Sequence, residues 1–319
     1  MNSNGNLRFY FDFIGKKKIY FIISACLIAV ILLFTAIFGV KLNINFRGGS
    51  IVSYSYENDA QFDDLENIAE DTIGKDVTVS TKQSFGDNPN QLDITIANKE
   101  SLTADEQVKL EEAVAEKYGD TLTLLSVTNV QPTIGAEFLG KSLMAVLYAS
   151  IILIIYVAVR FKKISGWSAG ITAIIALLHD MMIVYGVFVI FRIELDYNFI
   201  AVLLTILGYS VNDTIVIYDR ARENKRHYGD SMSNKDLFNL SINQCLSRSI
   251  NTTLTTIVTM LVVCLVAYFA NVQSIISFAF PIIMGMISGV YSTVCLAGPL
   301  WVTWQDYKAN RRAKQPNKK

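Results

Sequence analysis

The sequence predicts a multi-pass α-helical membrane protein with one α+β domain inserted outside the bilayer. Three observations lead there. Hydrophobic residues make up 52% of the 319 residues and charged residues 18%, with a mean hydropathy of +0.36; soluble domains average about 45–50% apolar and about 25% charged. Six apolar stretches are each long enough to cross a hydrocarbon core about 30 Å thick, which takes roughly 20 helical residues. One polar block, 41–136, interrupts them and holds 17 acidic and 7 basic residues, although the whole chain carries 28 of each sign. This balance excludes disordered, collagenous and disulfide-scaffold chains. The expected divisions are an N-terminal segment with the first span (1–40), the α+β domain (41–136), the bundle of spans two to six (137–304) and a basic tail (305–319).

The first span, Ile19–Val40, follows Lys16, Lys17 and Lys18, as a secretory leader would. Its apolar run exceeds the roughly 7–15 residues of a leader and no small-x-small cleavage site follows, so it reads as a retained anchor.

The acidic block then alternates element types. Ser50–Tyr56 reads as a strand and Phe62–Ile73 as a helix, with Phe62, Leu65, Ile68 and Ala69 at helical spacing. Asp76–Gln83 and Gln91–Ala97 read as strands around the turn-rich Gly86-Asp87-Asn88-Pro89-Asn90. A helix is expected over Thr103–Tyr118, where Thr103 and Glu106 have capping-box spacing and Gly119 stops it. Leu122–Val130 is the last strand. The order βαββαβ is that of a ferredoxin-like split unit. The block contains no His or Cys, so it offers neither a metal site nor a nucleic-acid surface, and binding or leverage suits it better than catalysis.

The remaining spans are Leu143–Phe161, Ile164–Phe191, Tyr197–Tyr218, Ile250–Ala270 and Ser274–Trp304. Pro281, Gly285, Gly289 and Pro299 in the last predict a kink or tilt. Basic residues orient the bundle. Arg8 and Lys16–Lys18, then Arg160, Lys162 and Lys163, then Arg220, Arg222, Lys225, Arg226 and Lys235, then Lys308, Arg311, Arg312 and Lys314 all fall on one side of six spans. Both termini are therefore expected in the cytoplasm and the acidic block outside. Cys26, Cys245, Cys264 and Cys295 lie outside that block and read as small buried hydrophobes.

Gly135-Ala-Glu-Phe-Leu-Gly140-Lys141-Ser142 fits the P-loop spacing letter for letter. It opens a membrane span on the outer side and follows no nucleotide-binding parallel sheet. We read it as an interfacial turn with a snorkelling Lys141, and expect no nucleotide.

Charge at bilayer depth costs at least about 2.5–3.5 kcal/mol per residue on insertion scales, so an intramembrane ionisable group points to function. Asp213 is the clearest case, on a stripe with Tyr209 or Ser210 and Thr205, and Arg248 is its candidate counter-charge. From Arg248, the hydroxyls of Thr252, Thr255 and Thr259 recur on one helical face. His179-Asp180 forms a second site, with Asp180 about 8 Å from Asp213 in depth if both helices run straight. These residues are the expected ion pathway. No metal-ligand cluster, cofactor motif or catalytic set accompanies them. Gly285-x-x-x-Gly289 is expected to allow close helix approach.

Several motifs together resemble the SecF side of the SecD–SecF family, accessory proteins of the bacterial secretion translocon. They are Asn45-Phe46-Arg47-Gly48-Gly49, Pro132-Thr-Ile-Gly135-Ala-Glu137, Leu178-His179-Asp180, Leu207-Gly-Tyr-Ser-Val-Asn-Asp213-Thr running into Tyr218-Asp219-Arg220-Ala-Arg222-Glu223-Asn224, and Ser241-Ile-Asn-Gln-Cys-Leu-Ser-Arg248-Ser-Ile-Asn251-Thr. The likeness covers nearly the whole chain; Asn45 stands where the family more often has Asp. It implies a subunit of the resistance-nodulation-division type in the bacterial cytoplasmic membrane. Such a subunit would work with SecD and the SecYEG translocon on a secreted polypeptide, with Asp213 and Arg248 coupling a proton or sodium gradient to late export. Two rivals are a self-sufficient small-molecule exporter and an aspartyl hydrolase using Asp180 and Asp213; against the second, Gly-x-Gly-Asp is absent.

Overall fold

The computed structural model describes residues 10–56, 62, 64–82, 90–96, 102–162, 166–270 and 272–313. Arg8, Lys163, Lys314 and the expected turn at 86–89 lie outside the described residues. Helix α1 (Lys17–Phe38) leads into a one-turn helix α2 (Ile44–Arg47), which the sequence reading did not anticipate. The α+β domain follows: β1 (Gly49–Tyr56), α3 (Leu65–Ile73), β2 (Val77–Lys82), β3 (Asn90–Ile96), α4 (Ala104–Tyr118) and β4 (Thr123–Val130). The bundle continues with α5 (Pro132–Arg160), α6 (Gly166–Ile190), α7 (Tyr197–Tyr228), α8 (Asn234–Phe269), α9 (Gln273–Ser292) and α10 (Gly298–Ala313). Among the described residues six helical segments are long and apolar enough to cross a membrane, α9 and α10 making the sixth together.

Several helices outrun their apolar stretches. The start of α5 is Pro132 rather than Leu143, α7 ends at Tyr228 rather than Tyr218, and α8 starts at Asn234 rather than Ile250. Hydropathy marks where lipid ends, whereas a helix stops where its backbone is capped. Gly229, at φ 57°, ends α7, and the Ser233 side chain accepts from Asp236 N to begin α8. In the sixth span, where a kink or tilt is expected, a π-helical stretch at Thr293–Ala297 separates α9 from α10, with Pro281 inside α9. Cys245 and Cys295 are buried as expected, but Cys26 lies on the outward face of α1 and Cys264 is only partly covered.

In the α+β domain the strand order is β2-β3-β1-β4, every neighbouring pair antiparallel. Apolar side chains from alternate strand positions, Val52, Tyr54, Leu92, Ile94 and Ile96, meet Leu65, Ala69, Leu110 and Val114 of α3 and α4. The helix expected from Phe62 begins at Leu65; Phe62 itself packs edge-on against Tyr56, ring centroids 5.0 Å apart. At α4 the capping box forms: Thr103 accepts from Glu106 N, and Glu106 accepts from Thr103 N.

The domain is rooted in the bundle through residues 39–48. Leu195 N donates to Lys41 O at 2.8 Å and Asn43 N to Leu195 O at 3.0 Å, a short parallel bridge to the α6–α7 loop. In that loop Arg192, at φ 57° the one described non-glycine residue with positive φ, donates to Phe38 O at 2.6 Å. On the other side α2 lies on α5. A Cβ at Gly135 would stand 3.0 Å from the Phe46 carbonyl carbon and oxygen, so glycine permits this approach. Phe46 stacks on Phe138, which in turn meets Tyr197 at the start of α7.

Candidate functional site

Helices α6 and α7 are the most enclosed of the bundle, whereas α1, α5 and α8 expose most of their surfaces. Polar groups on α6 and α7 must therefore find partners on neighbouring helices. Asp180, on α6, is fully buried and is met by hydroxyls from two other helices. Ser210 of α7 donates to it at 2.7 Å, and Ser288 and Ser292 of α9 donate at 2.6 Å each. His179 places Nδ1 3.3 Å from the same carboxylate, while its Nε2 is buried without a partner. The close approach of α9 rests on the expected glycines: a Cβ at Gly289 would touch Ser210, and one at Gly285 would collide with Ile206 and Val184. Thr214, a turn beyond Ser210, lies 3.1 Å from the Thr293 hydroxyl in the π-helical stretch.

Asp213, three residues after Ser210 on α7, is turned toward α8 instead. It is buried, and its Oδ2 has no hydrogen-bond partner. Ser249 of α8 faces it, its buried hydroxyl close to the carboxylate but outside regular hydrogen-bond geometry. Among the described residues no ion pair within 4.0 Å joins Arg248 to Asp213. Arg248 is exposed and lines an open cleft of about 510 Å³ between α5 and α8, with Arg160, Asp219, Arg220 and Gln244. Tyr209, one turn before Asp213, directs its hydroxyl to Thr256 at 3.4 Å and Thr253 at 3.5 Å.

The single stripe expected on α7 is thus divided. Ser210 belongs to Asp180, Tyr209 belongs to the face of Asp213, and Thr205 is exposed and bonded to Ala201 O. Ser210, three residues from Asp213, stands level with Asp180, so the two carboxylates differ in depth by about 4.5 Å rather than about 8 Å. Thr252, Thr255 and Thr259 do not join either carboxylate. All three are exposed, and each hydroxyl bonds to a carbonyl of its own helix. The reason is helical phase: the face of α8 toward α7 is read by Ser249, Thr253 and Thr256. Ser249, Ser288 and Ser292 escaped the sequence reading; the i,i+4 spacing of Ser288 and Ser292 in an apolar helix was the available signal.

Residues 135–142 form no phosphate loop. They are helical within α5, which also corrects the expected turn, and Lys141 pairs with Glu137 at 2.7 Å.

The family description "Protein export membrane protein SecD/SecF, C-terminal" matches residues 109–307. The chain is 37% identical to the protein translocase subunit SecF of Calditerrivibrio nitroreducens over 293 residues, covering 91% of this chain and 92% of that one. It is 33% identical to the subunit SecDF of Bacillus subtilis over 310 residues, covering 95% of this chain but 39% of that one. Among solved structures it is similar to SecDF of Thermus thermophilus, a translocon-associated membrane protein, with a TM-score of 0.76 and 29% identity. That match covers 94% of this chain and 39% of the other, so the chain spans about two-fifths of the SecDF proteins it resembles.

Proposed function

The chain belongs to the SecD/SecF family of protein export membrane proteins, and from that premise we propose that it couples an ion gradient to protein export. It is a multi-pass bacterial membrane protein and an accessory subunit of Sec translocation. Its ion-coupling pair is Asp213 and Arg248, its partner is a SecD chain supplying the remainder of the SecDF length, and the pair serves SecYEG and an emerging polypeptide. The outer domain is a ferredoxin-like unit, supported by its β2-β3-β1-β4 order. Basic loops on one side support cytoplasmic termini and an external α+β domain.

The observation that carries the reading is the buried carboxylate of Asp213 with the exposed guanidinium of Arg248 nearby at the cleft between α5 and α8. A buried carboxylate can take a proton or cation and exchange it against Arg248, which stays charged throughout. Asp180 supplies the second position, linked to α7 through Ser210. Motion of α7 would reach the outer domain through its first turn, because Tyr197 meets Phe138 under α2 and the preceding loop clasps residues 38–43.

The test is late-stage translocation into sealed vesicles carrying this chain with its SecD partner, with ATP exhausted and a proton or sodium gradient imposed. Gradient-dependent completion in wild type, lost in Asp213→Asn, supports the reading and identifies the ion. Completion unchanged in the mutant refutes it.

A further inference from the structure

The basic end of the bundle, remote from the α+β domain, carries two kinds of cation. On α5 and α7 they are neutralised: Arg160 and Arg222 pair with Asp219 at 3.3 and 2.6 Å, and Arg220 with Glu223 at 2.6 Å. On the side formed by α6 and α10 they are not. Two hollows of about 360 and 550 Å³ adjoin across Trp304 and Lys308, which line both, and are taken together as one groove. Its cations are Lys162, Lys308 and Arg311, its aromatic walls Trp167, Trp304 and Tyr307, and among the described residues no carboxylate lines it. None of these cations makes an ion pair with a described residue. Lys17 reaches the rim as well, donating to Thr303 at 2.9 Å. Asp306, the one carboxylate of α10, falls on the far side of the helix by the 3.6-residue repeat.

The groove is continuous with a surface that meets acyl chains. From Trp167, 73% exposed, the outward face of α6 continues through Ile171, Ile175 and Leu178, all exposed at i, i+4, i+8 and i+11. A ligand here therefore faces three unpaired cations at one end and an apolar helix stripe at the other. Basic pockets between membrane helices bind anionic lipid headgroups on these grounds, and interfacial Trp and Tyr hold the level of the headgroup.

We propose that the groove between the start of α6 and α10 is a binding site for an anionic phospholipid. Lys162, Lys308 and Arg311 hold the phosphate, and one acyl chain lies along Ile171, Ile175 and Leu178. The apolar stripe favours a lipid over a free phosphate ester, which has nothing to place there. The site is independent of the Asp213–Arg248 reading and shares no residue with it.

The full chain is purified in detergent with equal phosphatidylglycerol and phosphatidylethanolamine, and lipid retention is read by native mass spectrometry. Wild type is expected to retain phosphatidylglycerol preferentially. Each cation removed lowers that preference about fivefold, since a basic residue near a surface contributes about 1 kcal/mol toward an anionic lipid. The triple change Lys162→Gln, Lys308→Gln, Arg311→Gln abolishes it. Lys162→Arg with Lys308→Arg keeps it, which separates charge from folding, and Arg222→Gln, a paired cation, leaves it intact. Excess glycerol 3-phosphate is expected not to displace the lipid. Equal retention of both lipids by wild type, or a preference that survives the triple change, would show only an interfacial belt and overturn the proposal. Displacement by glycerol 3-phosphate overturns the lipid assignment.

Discussion

Asp180 of α6 accepts a 2.7 Å hydrogen bond from Ser210 of α7, one helical turn ahead of Asp213. The two intramembrane carboxylates thus share a helix turn while facing different neighbours. Asp180 is enclosed by three hydroxyls, and Asp213 keeps a bare oxygen. One is held by the packing of three helices; the other faces Ser249 of α8.

Removing the enclosure destabilises the bundle in proportion to the partners lost. Interhelical hydrogen bonds in membranes average about 0.6 kcal/mol with a maximum near 1.7. Ser210→Ala is expected to cost within that range, and Asp180→Ala, which removes the shared acceptor of three hydroxyls, about 2–5 kcal/mol. Unfolding of the reconstituted chain under steric trapping measures both. Equal costs for the two changes would mean that Asp180 does not hold the three helices together.

At Arg248 the prediction concerns charge rather than packing, because the side chain is exposed. Arg248→Gln is expected to remove gradient-dependent export while leaving thermal stability within about 0.5 kcal/mol, as for exposed substitutions generally. Arg248→Lys, which keeps the charge but not the planar fork, should retain part of the activity. Vesicle translocation and thermal unfolding of the same preparations distinguish these outcomes.

The clasp at the root of the α+β domain should transmit motion without contributing to ion binding. Arg192→Gln removes the donor to the last carbonyls of α1, and Gly135→Ala sets a methyl against the Phe46 carbonyl. Overpacking of this kind costs about 1–3 kcal/mol. Both variants are expected to lower export while gradient dissipation through the complex persists. Proteolysis within residues 39–48 should quicken. Normal export in both would leave the clasp with an anchoring role alone.

The α+β domain carries its own pH signature. The Lys75 ammonium, 2.6 Å away, and the Thr103 backbone N–H hold Glu106 well below the usual carboxylate range, at about 2. The unfolded chain titrates this group near 4.5, so its contribution is complete above that pH and is lost as pH falls from about 4.5 to about 2. At the alkaline end, burial pushes the Tyr54 phenol up to about 12. Stability is therefore full below about 10, the unfolded value, and declines as pH rises towards about 12. Amide hydrogen exchange of β1 and β3 in the full chain should show both limits, and Lys75→Gln should shrink only the acid one.

The sequence by itself determined the number of spans, the segregation of charge along the chain and the order of elements in the acidic block. These are one-dimensional properties: apolar length against bilayer thickness, alternation of period two against 3.6, and capping residues such as Thr103 and Glu106. It also singled out Asp213, Asp180 and Arg248, because an ionisable group within an apolar run is conspicuous wherever the chain goes. Which groups face one another was decided only by the tertiary structure. Helical periodicity fixes the angle between side chains on one helix but not the rotation of that helix against its neighbours. That rotation follows from how ridges and small residues pack, here Gly285 and Gly289 of α9 against α7. It turned Thr252, Thr255 and Thr259 outward, brought Ser249 to Asp213, and surrounded Asp180 with Ser210, Ser288 and Ser292.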